Sequence, residues 1–224
     1  MSLSLAGVPD LGSVPTASEI VLKHLRTAIV TGVLDEGAPI RQDEVAALFN
    51  VSKIPVREAL KQLEAEGFVS FQRNRGAVVA RLSEPEIAQI FEVRAMLEAN
   101  AIRLSVPLMT GADIALAAAH ATDFDRETDV SRWADLNWAF HSSLYLAAGR
   151  PYLLQMIRTV NDRVERYLRV QLTLSGGHET ASREHALILA ACRDGDADGA
   201  ALLVQDHIMG ACRSLHRHLP RKDG

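Results

Sequence analysis

The sequence predicts a mostly α-helical chain in two parts: three short helices with a β-hairpin, followed by an all-α helical bundle. Two observations support this prediction. From residue 16 to 81, apolar residues at helical spacing give way to two short β-prone runs around a turn. From residue 82 to 218, one Ala- and Leu-rich helical segment follows another, with few strand signals between them. We expect the ends, residues 1–15 and 219–224, to be weakly ordered.

The first helix is predicted to begin at the capping box Thr16-Ala-Ser-Glu19, whose end residues can cap each other's backbone N–H groups. Gly32 ends this helix, and Gly-Ala-Pro at 37–39 is typical of a turn. The apolar face of the helix is expected to comprise Ile20, Leu22, Leu25, Ile29 and Val30.

Two further helices are predicted on either side of Asn50, a residue type that tolerates a left-handed backbone. Residues 43–49 form the shorter helix, and Ser52 caps a third helix that ends at Gly67. Pro55 is acceptable there because it falls in the first turn. The residues expected to face the core are Val56, Ala59, Leu60 and Leu63.

A β-hairpin is predicted after the third helix. The β-prone runs at 68–72 and 77–81 are joined by the turn-forming tip Arg73-Asn-Arg-Gly76. Three helices followed by such a hairpin make up a winged helix-turn-helix, an arrangement that binds double-stranded DNA.

The second part begins at another capping box, Ser83-Glu-Pro-Glu86, which also marks the domain boundary. Glycine, proline and polar turns then divide the chain into helical segments. The helices are predicted at about 83–105, 111–126, 128–147, 151–173, 178–194 and 196–218.

The charge distribution places any nucleic-acid contact in the first part. The formal net charge of −4 argues against a protein that coats nucleic acid with its whole surface. Between residues 50 and 81, however, six basic residues outnumber three acidic ones, and phosphate neutralisation supplies much of DNA affinity. These basic residues are Lys53, Arg57, Lys61, Arg73, Arg75 and Arg81.

The remaining composition indicates a cytoplasmic protein without membrane contact. Cys192 and Cys212 lie outside any CxxC spacing, so we expect buried, reduced thiols. No apolar run approaches the roughly 20 residues needed to span a bilayer. The N-terminus also lacks the basic start and apolar core of a signal peptide.

Residues 40–81 resemble the GntR family of bacterial regulators. The matching stretches are Val-Ser-Lys-Ile-Pro-Val-Arg-Glu-Ala-Leu at 51–60, Leu-Glu-Ala-Glu-Gly-Phe-Val at 63–69, and Arg-Gly at 75–76. The resemblance implies DNA contacts from Ser52, Lys53, Arg57, Arg75 and Gly76. Two departures suggest a different operator sequence, because lysine cannot make the bidentate contact that arginine makes to guanine. Lys53-Ile54 stands where Arg-Thr is usual, and Asp43 where arginine is common.

Histidines in the second part are candidate metal ligands. Asn137 and His141 are four residues apart on one helix face. His185 is placed at the opening of the predicted helix 178–194, and His207 midway along the last helix, 196–218. Three imidazoles with an oxygen ligand suit Zn²⁺, Ni²⁺ or Mn²⁺. Spacing alone does not separate this site from ordinary polar histidines. We assign the ordinary role to His24, His120, His178, His216 and His218.

Residues 84–215 resemble the C-terminal ligand domain, called FCD, of FadR-type regulators in the same family. The matching features include Asn137-x-x-Phe-His141, Glu184-His185 and His207. Many members bind a divalent metal through an Asp or Asn and three histidines, which implies Asn137, His141, His185 and His207 here. Asparagine in place of aspartate removes a negative charge, so we expect a weaker site that favours a carboxylate effector.

Arginines are the candidate effector ligands, because guanidinium groups bind carboxylates bidentately. Arg94, Arg163 and Arg166 are the candidates, although Arg94 can instead form a salt bridge with Glu98 one turn away. The aromatic residues Trp133, Trp138 and Tyr145 are assigned to packing.

The sequence therefore predicts a homodimeric transcription regulator, not an enzyme, that binds an inverted-repeat DNA operator. A small carboxylate bound near the metal would control operator affinity, with relief of repression as the expected polarity. Two alternatives remain open: a metal-dependent hydrolase, and a regulator whose metal is structural or is itself the signal.

Overall fold

The computed structural model describes residues 15–173 and 176–218, which form two compact units that divide between Arg81 and Leu82. The first unit contains three helices and a three-stranded sheet, and the second is entirely helical in its described part. The predicted mostly α-helical fold class is confirmed.

The first unit is a winged helix-turn-helix. Its antiparallel sheet has the strand order β1-β3-β2, with Val69 opposite Val79 and Gln72 opposite Gly76 in the hairpin. The sequence predicted only a turn at 37–39, but Pro39 and Ile40 pair with Val78 and Ala77 to form β1. The elements are α1 (Ala17–Val30), β1 (Pro39–Ile40), α2 (Gln42–Phe49), α3 (Lys53–Ala65), β2 (Val69–Gln72) and β3 (Gly76–Val79).

The core of this unit confirms the predicted inner face of α3. Val56, Ala59, Leu60 and Leu63 are completely buried. In α1 the prediction was partly wrong, because Ile20 is 41% exposed and Val21 takes the core position. Val21, Leu25 and Ile29 repeat every four residues and so share one face, from which Ile20 is rotated by about 100°.

Two caps of this unit explain its turns. Asn50 ends α2 with a φ of 52°, the left-handed conformation that its residue type suggested. Ser52 occupies the N-cap position of α3, but its side chain makes no capping hydrogen bond. At the hairpin tip, Asn74 and Gly76 also have positive φ, which closes the turn between β2 and β3.

The second unit contains six helices within its described residues. Most predicted boundaries agree to within two residues, but α6 begins at Trp133 instead of 128. Asp129 accepts a hydrogen bond from the Ser131 N–H, and this holds residues 130–132 in a 3₁₀ turn before the helix. The helices are α4 (Glu84–Ser105), α5 (Gly111–Arg126), α6 (Trp133–Tyr145), α7 (Pro151–Thr173), α8 (Gly177–Arg193) and α9 (Ala197–His218).

The helices of this unit surround a core that contains polar residues as well as apolar ones. α4 packs along α9 and α7, α5 packs against α6 and α8, and α8 also packs against α9. The apolar part of this core includes Phe91, Ile102, Phe140, Ile188 and Val204, all at most 1% exposed. The free thiols of Cys192 and Cys212 are buried, as predicted. Among residues 15–173 and 176–218, no helix combines the length and apolar composition needed to cross a bilayer.

Candidate DNA-binding and metal sites

The predicted DNA-contacting residues lie on two exposed parts of the first unit. Ser52, Lys53 and Arg57 are exposed at the start and first turn of α3, and Arg75 and Gly76 are exposed at the hairpin tip. This placement leaves both features accessible to a DNA groove or backbone. The side chain of Arg75 is held by weak hydrogen bonds to Gln72 Oε1 (3.3 Å) and the Gly37 carbonyl (3.5 Å).

The two departures from the GntR pattern contact each other. Lys53 Nζ forms an ion pair with Asp43 Oδ1, which joins the start of α3 to the first turn of α2. Both side chains are more than half exposed, so the pair contributes little to stability. Its consequence is electrostatic: a carboxylate offsets one positive charge at the point where α3 would meet DNA.

In the second unit, three buried histidines from three helices converge. His141 on α6, His185 on α8 and His207 on α9 each offer a ring nitrogen, and these nitrogens lie within 4.8 Å of one another. The Nε2 atoms of His141 and His207 are 3.1 Å apart. Sequence reasoning placed His185 at the opening of its helix, whereas it lies in the middle of α8.

Carboxylates orient two of these imidazoles. His207 Nδ1 donates to Glu184 Oε2 (2.7 Å), and His141 Nδ1 lies 3.2 Å from both Glu98 Oε2 and the Tyr145 hydroxyl. Because a carboxylate oxygen only accepts, the Nδ1 atoms carry the protons. When both rings carry only this proton, the two Nε2 atoms face each other with lone pairs, an arrangement that a shared cation would stabilise. Outer carboxylates of this kind commonly orient metal-bound histidines.

The environment favours the neutral form of His141 and His185 and the ionised form of Glu98. Burial lowers the pKa of His141 and lowers that of His185 much further. Burial acts to raise the pKa of Glu98, but the Arg94 guanidinium and hydrogen bonds from His141 and Tyr145 bring it to about 2. Burial also raises the pKa of Tyr145 well above its usual value, so its hydroxyl donates to Glu98 (2.6 Å).

His185 is the unusual member of the cluster. It is 1% exposed and lies between the rings of Phe124 and Phe140, with centroid distances of 4.9 and 4.2 Å. Neither of its ring nitrogens has a hydrogen-bond partner among the described residues. Leaving a buried polar atom without a partner costs about 1–3 kcal/mol. An ion between the three histidines would give one of these nitrogens a ligand bond, so the residues present fit a divalent metal.

A polar cavity of about 300 Å³ borders the cluster. His207 and Asn137 both line it, and Asn137 is buried one turn before His141 on α6. Asp135 lies two residues before Asn137, about 200° around α6 from it, and its exposed carboxylate pairs with Arg169 (2.9 Å) instead of lining the cavity. Asn137 therefore shares the cavity with His207, and its role as the oxygen ligand stays a prediction.

The candidate effector arginines differ in whether they line the cavity. Arg94 lines the cavity, and its Nε also donates to Glu98 Oε1 (2.9 Å), so the two interpretations of Arg94 are compatible. Its Nη1 is buried without a hydrogen-bond partner in the described chain. Arg163 and Arg166 are not among the described residues that line the cavity.

Sequence reasoning missed three polar residues at this site. Tyr145 was assigned to packing, but its hydroxyl contacts His141 and Glu98. Glu98 was considered as a partner of Arg94, and Glu184 only as part of the matching stretch Glu184-His185, yet Glu184 contacts His207. By contrast, His178 has the ordinary role expected of it: its Nε2 donates to the Phe124 carbonyl (2.8 Å), and its ring stacks on Trp133.

Comparisons with known proteins agree with both halves of this description. Residues 17–79 match the model for bacterial regulatory proteins of the gntR family, and residues 89–210 match the FCD domain. The chain is 29% identical over 199 residues to the HTH-type transcriptional repressor GlaR of Escherichia coli K12, covering 84% of this chain and 90% of that one. It is also 29% identical over 195 residues to the gluconate operon transcriptional repressor of Bacillus subtilis 168, covering 83% and 78%.

A solved structure shares the fold. E. coli McbR/YncC has a TM-score of 0.78 and 22% identity, with 91% of this chain and 98% of that one covered. Together, the two matched models span most of the described chain in the order of its two units. The chain therefore belongs to the GntR family of bacterial transcriptional regulators and carries a C-terminal FCD domain.

Proposed function

We propose that this regulator is a repressor whose affinity for its operator is controlled by a small carboxylate, which binds beside a divalent metal in the FCD domain. The observation that carries the proposal is the buried, unpartnered imidazole of His185, next to two histidines whose Nε2 atoms face each other at 3.1 Å. Asn137, His141, His185 and His207 would hold the ion, which would be Zn²⁺, Ni²⁺ or Mn²⁺.

The chain's own residues supply most of the proposed effector site. A bound divalent ion would act as a Lewis acid that attracts a carboxylate oxygen. Arg94 supports the same ligand, because its Nη1 is buried and unpartnered within the described residues and its side chain lines the cavity. Glu98 Oε1 accepts a hydrogen bond from Arg94 Nε and so fixes the Arg94 side chain. The rest of the guanidinium is left to bind the carboxylate of an acid.

The first unit would make the DNA contacts. Lys53 and Arg57 present positive charge from α3, and Arg75 presents it from the hairpin tip. We propose a homodimer on an inverted repeat, because two copies of such a helix read two half-sites. Effector binding would change the placement of the two DNA-binding units and so relieve repression. Allosteric coupling of this kind is typically about 1–3 kcal/mol, or roughly 5–150-fold in affinity.

A metal-dependent hydrolase is a less suitable interpretation of the same site. Metal-assisted hydrolysis needs a carboxylate that is free to act as a general base. Glu184 is the acid among the described residues that line the cavity, and its Oε2 already accepts the Nδ1–H of His207. The role of Glu184 is therefore to orient the proposed metal ligand His207.

The test begins with operator sequences selected by the purified protein from a random pool of DNA duplexes. Fluorescence anisotropy titrations of a selected duplex are then compared with and without each acid that calorimetry shows to bind. The proposal expects such an acid to weaken operator binding by 5–150-fold. Unchanged operator affinity with every acid that binds would refute it. A change caused by the metal alone would instead support the metal-responsive alternative.

A further inference from the structure

Two arginines at the cavity are not used by the proposed metal and carboxylate contacts. Arg213 and Arg217 lie four residues apart on α9 and both line the 300 Å³ cavity that Arg94, Asn137 and His207 also line. Within the described residues, neither has an acidic side chain within salt-bridge distance. We infer that they bind a second anionic group of the effector, and that the effector is a short dicarboxylate. This inference rests on the proposed function.

The charges of the cavity favour a dianion. Its described lining contains three arginines and one glutamate. Glu98 balances the charge of Arg94, and the Glu184 carboxylate can balance only one of Arg213 and Arg217. The divalent ion of the proposed function adds further positive charge, so an acid with two carboxylates suits the site better than an acid with one.

The Arg213 side chain extends toward the part of α9 that carries His207. A Cβ added at Gly210 would lie 3.7 Å from Arg213 Nη2, so the guanidinium bends back over Gly210, toward the helix turn that carries His207. Long side chains on helices generally lean in this direction. The helix rise places the Arg213 backbone roughly 9 Å along the axis from His207. This separation suits two acid groups on one short carbon chain.

Helix stabilisation does not account for both arginines. A cation in the last turn interacts favourably with the helix dipole, and Arg217 is in that position. Arg213 lies five residues before the end of α9 at His218, beyond the reach of this effect. Moreover, like charges four residues apart on a helix repel each other. An anion bound between them would remove this repulsion.

The cavity volume limits the size of the acid. About 300 Å³ lies at the lower end of the range for small-molecule sites. Leu168, Leu172 and Ile208 supply apolar surface for a short carbon chain, while Gln171 and Thr180 supply polar groups. This lining fits a dicarboxylate of a few carbons.

The experiment compares matched acids by isothermal titration calorimetry on the full chain loaded with Zn²⁺. Succinate is compared with butyrate, and glutarate with pentanoate, so that each pair differs in one carboxylate. We expect at least one dicarboxylate to bind ten times or more tightly than its partner. Arg213→Gln and Arg217→Gln should remove this preference, because they weaken binding of the dicarboxylate far more than binding of the matched monocarboxylate. Arg193→Gln is the matched control, because Arg193 is an exposed arginine of α8 outside the cavity lining, and it should keep the preference.

Equal binding of the paired acids, or a preference that survives in the Arg213→Gln/Arg217→Gln double variant, would overturn the inference. Either result would leave the proposed carboxylate site standing. If no acid of either kind bound to the Zn²⁺-loaded protein, the proposed carboxylate effector itself would fail. The two failures are therefore distinguishable in one series of titrations.

Discussion

His185 should destabilise the protein when no metal is bound, so its replacement by leucine should be stabilising. Each of its two buried, unpartnered nitrogens costs about 1–3 kcal/mol. Leucine lacks these atoms but loses the ring contacts with Phe124 and Phe140, each worth about 0.5–1.5 kcal/mol. The expected balance for His185→Leu is a gain of about 1 kcal/mol or more. For a protein of this size, each kcal/mol corresponds to roughly 2–4 °C in Tm.

Bound metal should make the wild-type protein more stable than His185→Leu. A ligand that binds only the folded state stabilises it by about 2.7 kcal/mol at a concentration of 100 times its Kd. The wild-type protein should gain this stability in Zn²⁺, and His185→Leu should not. Urea unfolding followed by tryptophan fluorescence measures the relevant unit, because Trp133 and Trp138 both belong to it. The two proteins are compared in chelator and in Zn²⁺.

His178→Leu is the matched control on the same helix. Its ring has a hydrogen bond to the Phe124 carbonyl and a stack on Trp133, so its loss should destabilise the protein by about 1 kcal/mol in both buffers. If His185→Leu were destabilised in chelator like His178→Leu, or gained as much from Zn²⁺ as the wild-type protein, the metal-ligand role of His185 would be refuted.

Three further predictions follow from the same geometry. Glu184→Gln should weaken metal affinity about 10–100-fold in a chelator competition assay, because it removes the carboxylate that orients His207; unchanged affinity would contradict this role. Asn137→Asp should tighten metal binding in the same assay by restoring a negative charge, and weaker binding would count against Asn137 as a ligand. Asp43→Asn should free Lys53 for phosphate, steepening the logarithmic salt dependence of DNA binding by about 1, whereas an unchanged slope would show that the ion pair does not limit Lys53.

Local signals predicted much of the fold. The segments 111–126 and 151–173 match α5 and α7 because Gly111 and Pro151 mark their starts directly in the sequence. The strand β1 was missed because two residues carry no periodicity of their own. Pro39 and Ile40 become a strand only by pairing with β3, which is distant in the sequence.

The candidate site was predicted less completely, because it depends on how the helices pack. The resemblance supplied Asn137, His141, His185 and His207, and the structure brings the three histidines together. Tyr145 lies one turn after His141 on α6, so the spacing in the sequence could have indicated their contact. Glu98 joins them only because α4 packs against α6 with this side chain facing inward. Arg213 and Arg217 carried no sequence signal, since their relation to Asn137 exists only across the cavity.

The most direct test of the central claim is the metal content of the purified, untreated protein, by elemental analysis with native mass spectrometry. We expect about one divalent ion per chain in the wild-type protein and none in His185→Leu. No bound ion in the wild-type protein, even after exposure to Zn²⁺, Ni²⁺ and Mn²⁺, would contradict it. An equal ion content in His185→Leu would likewise show that the ion is held elsewhere.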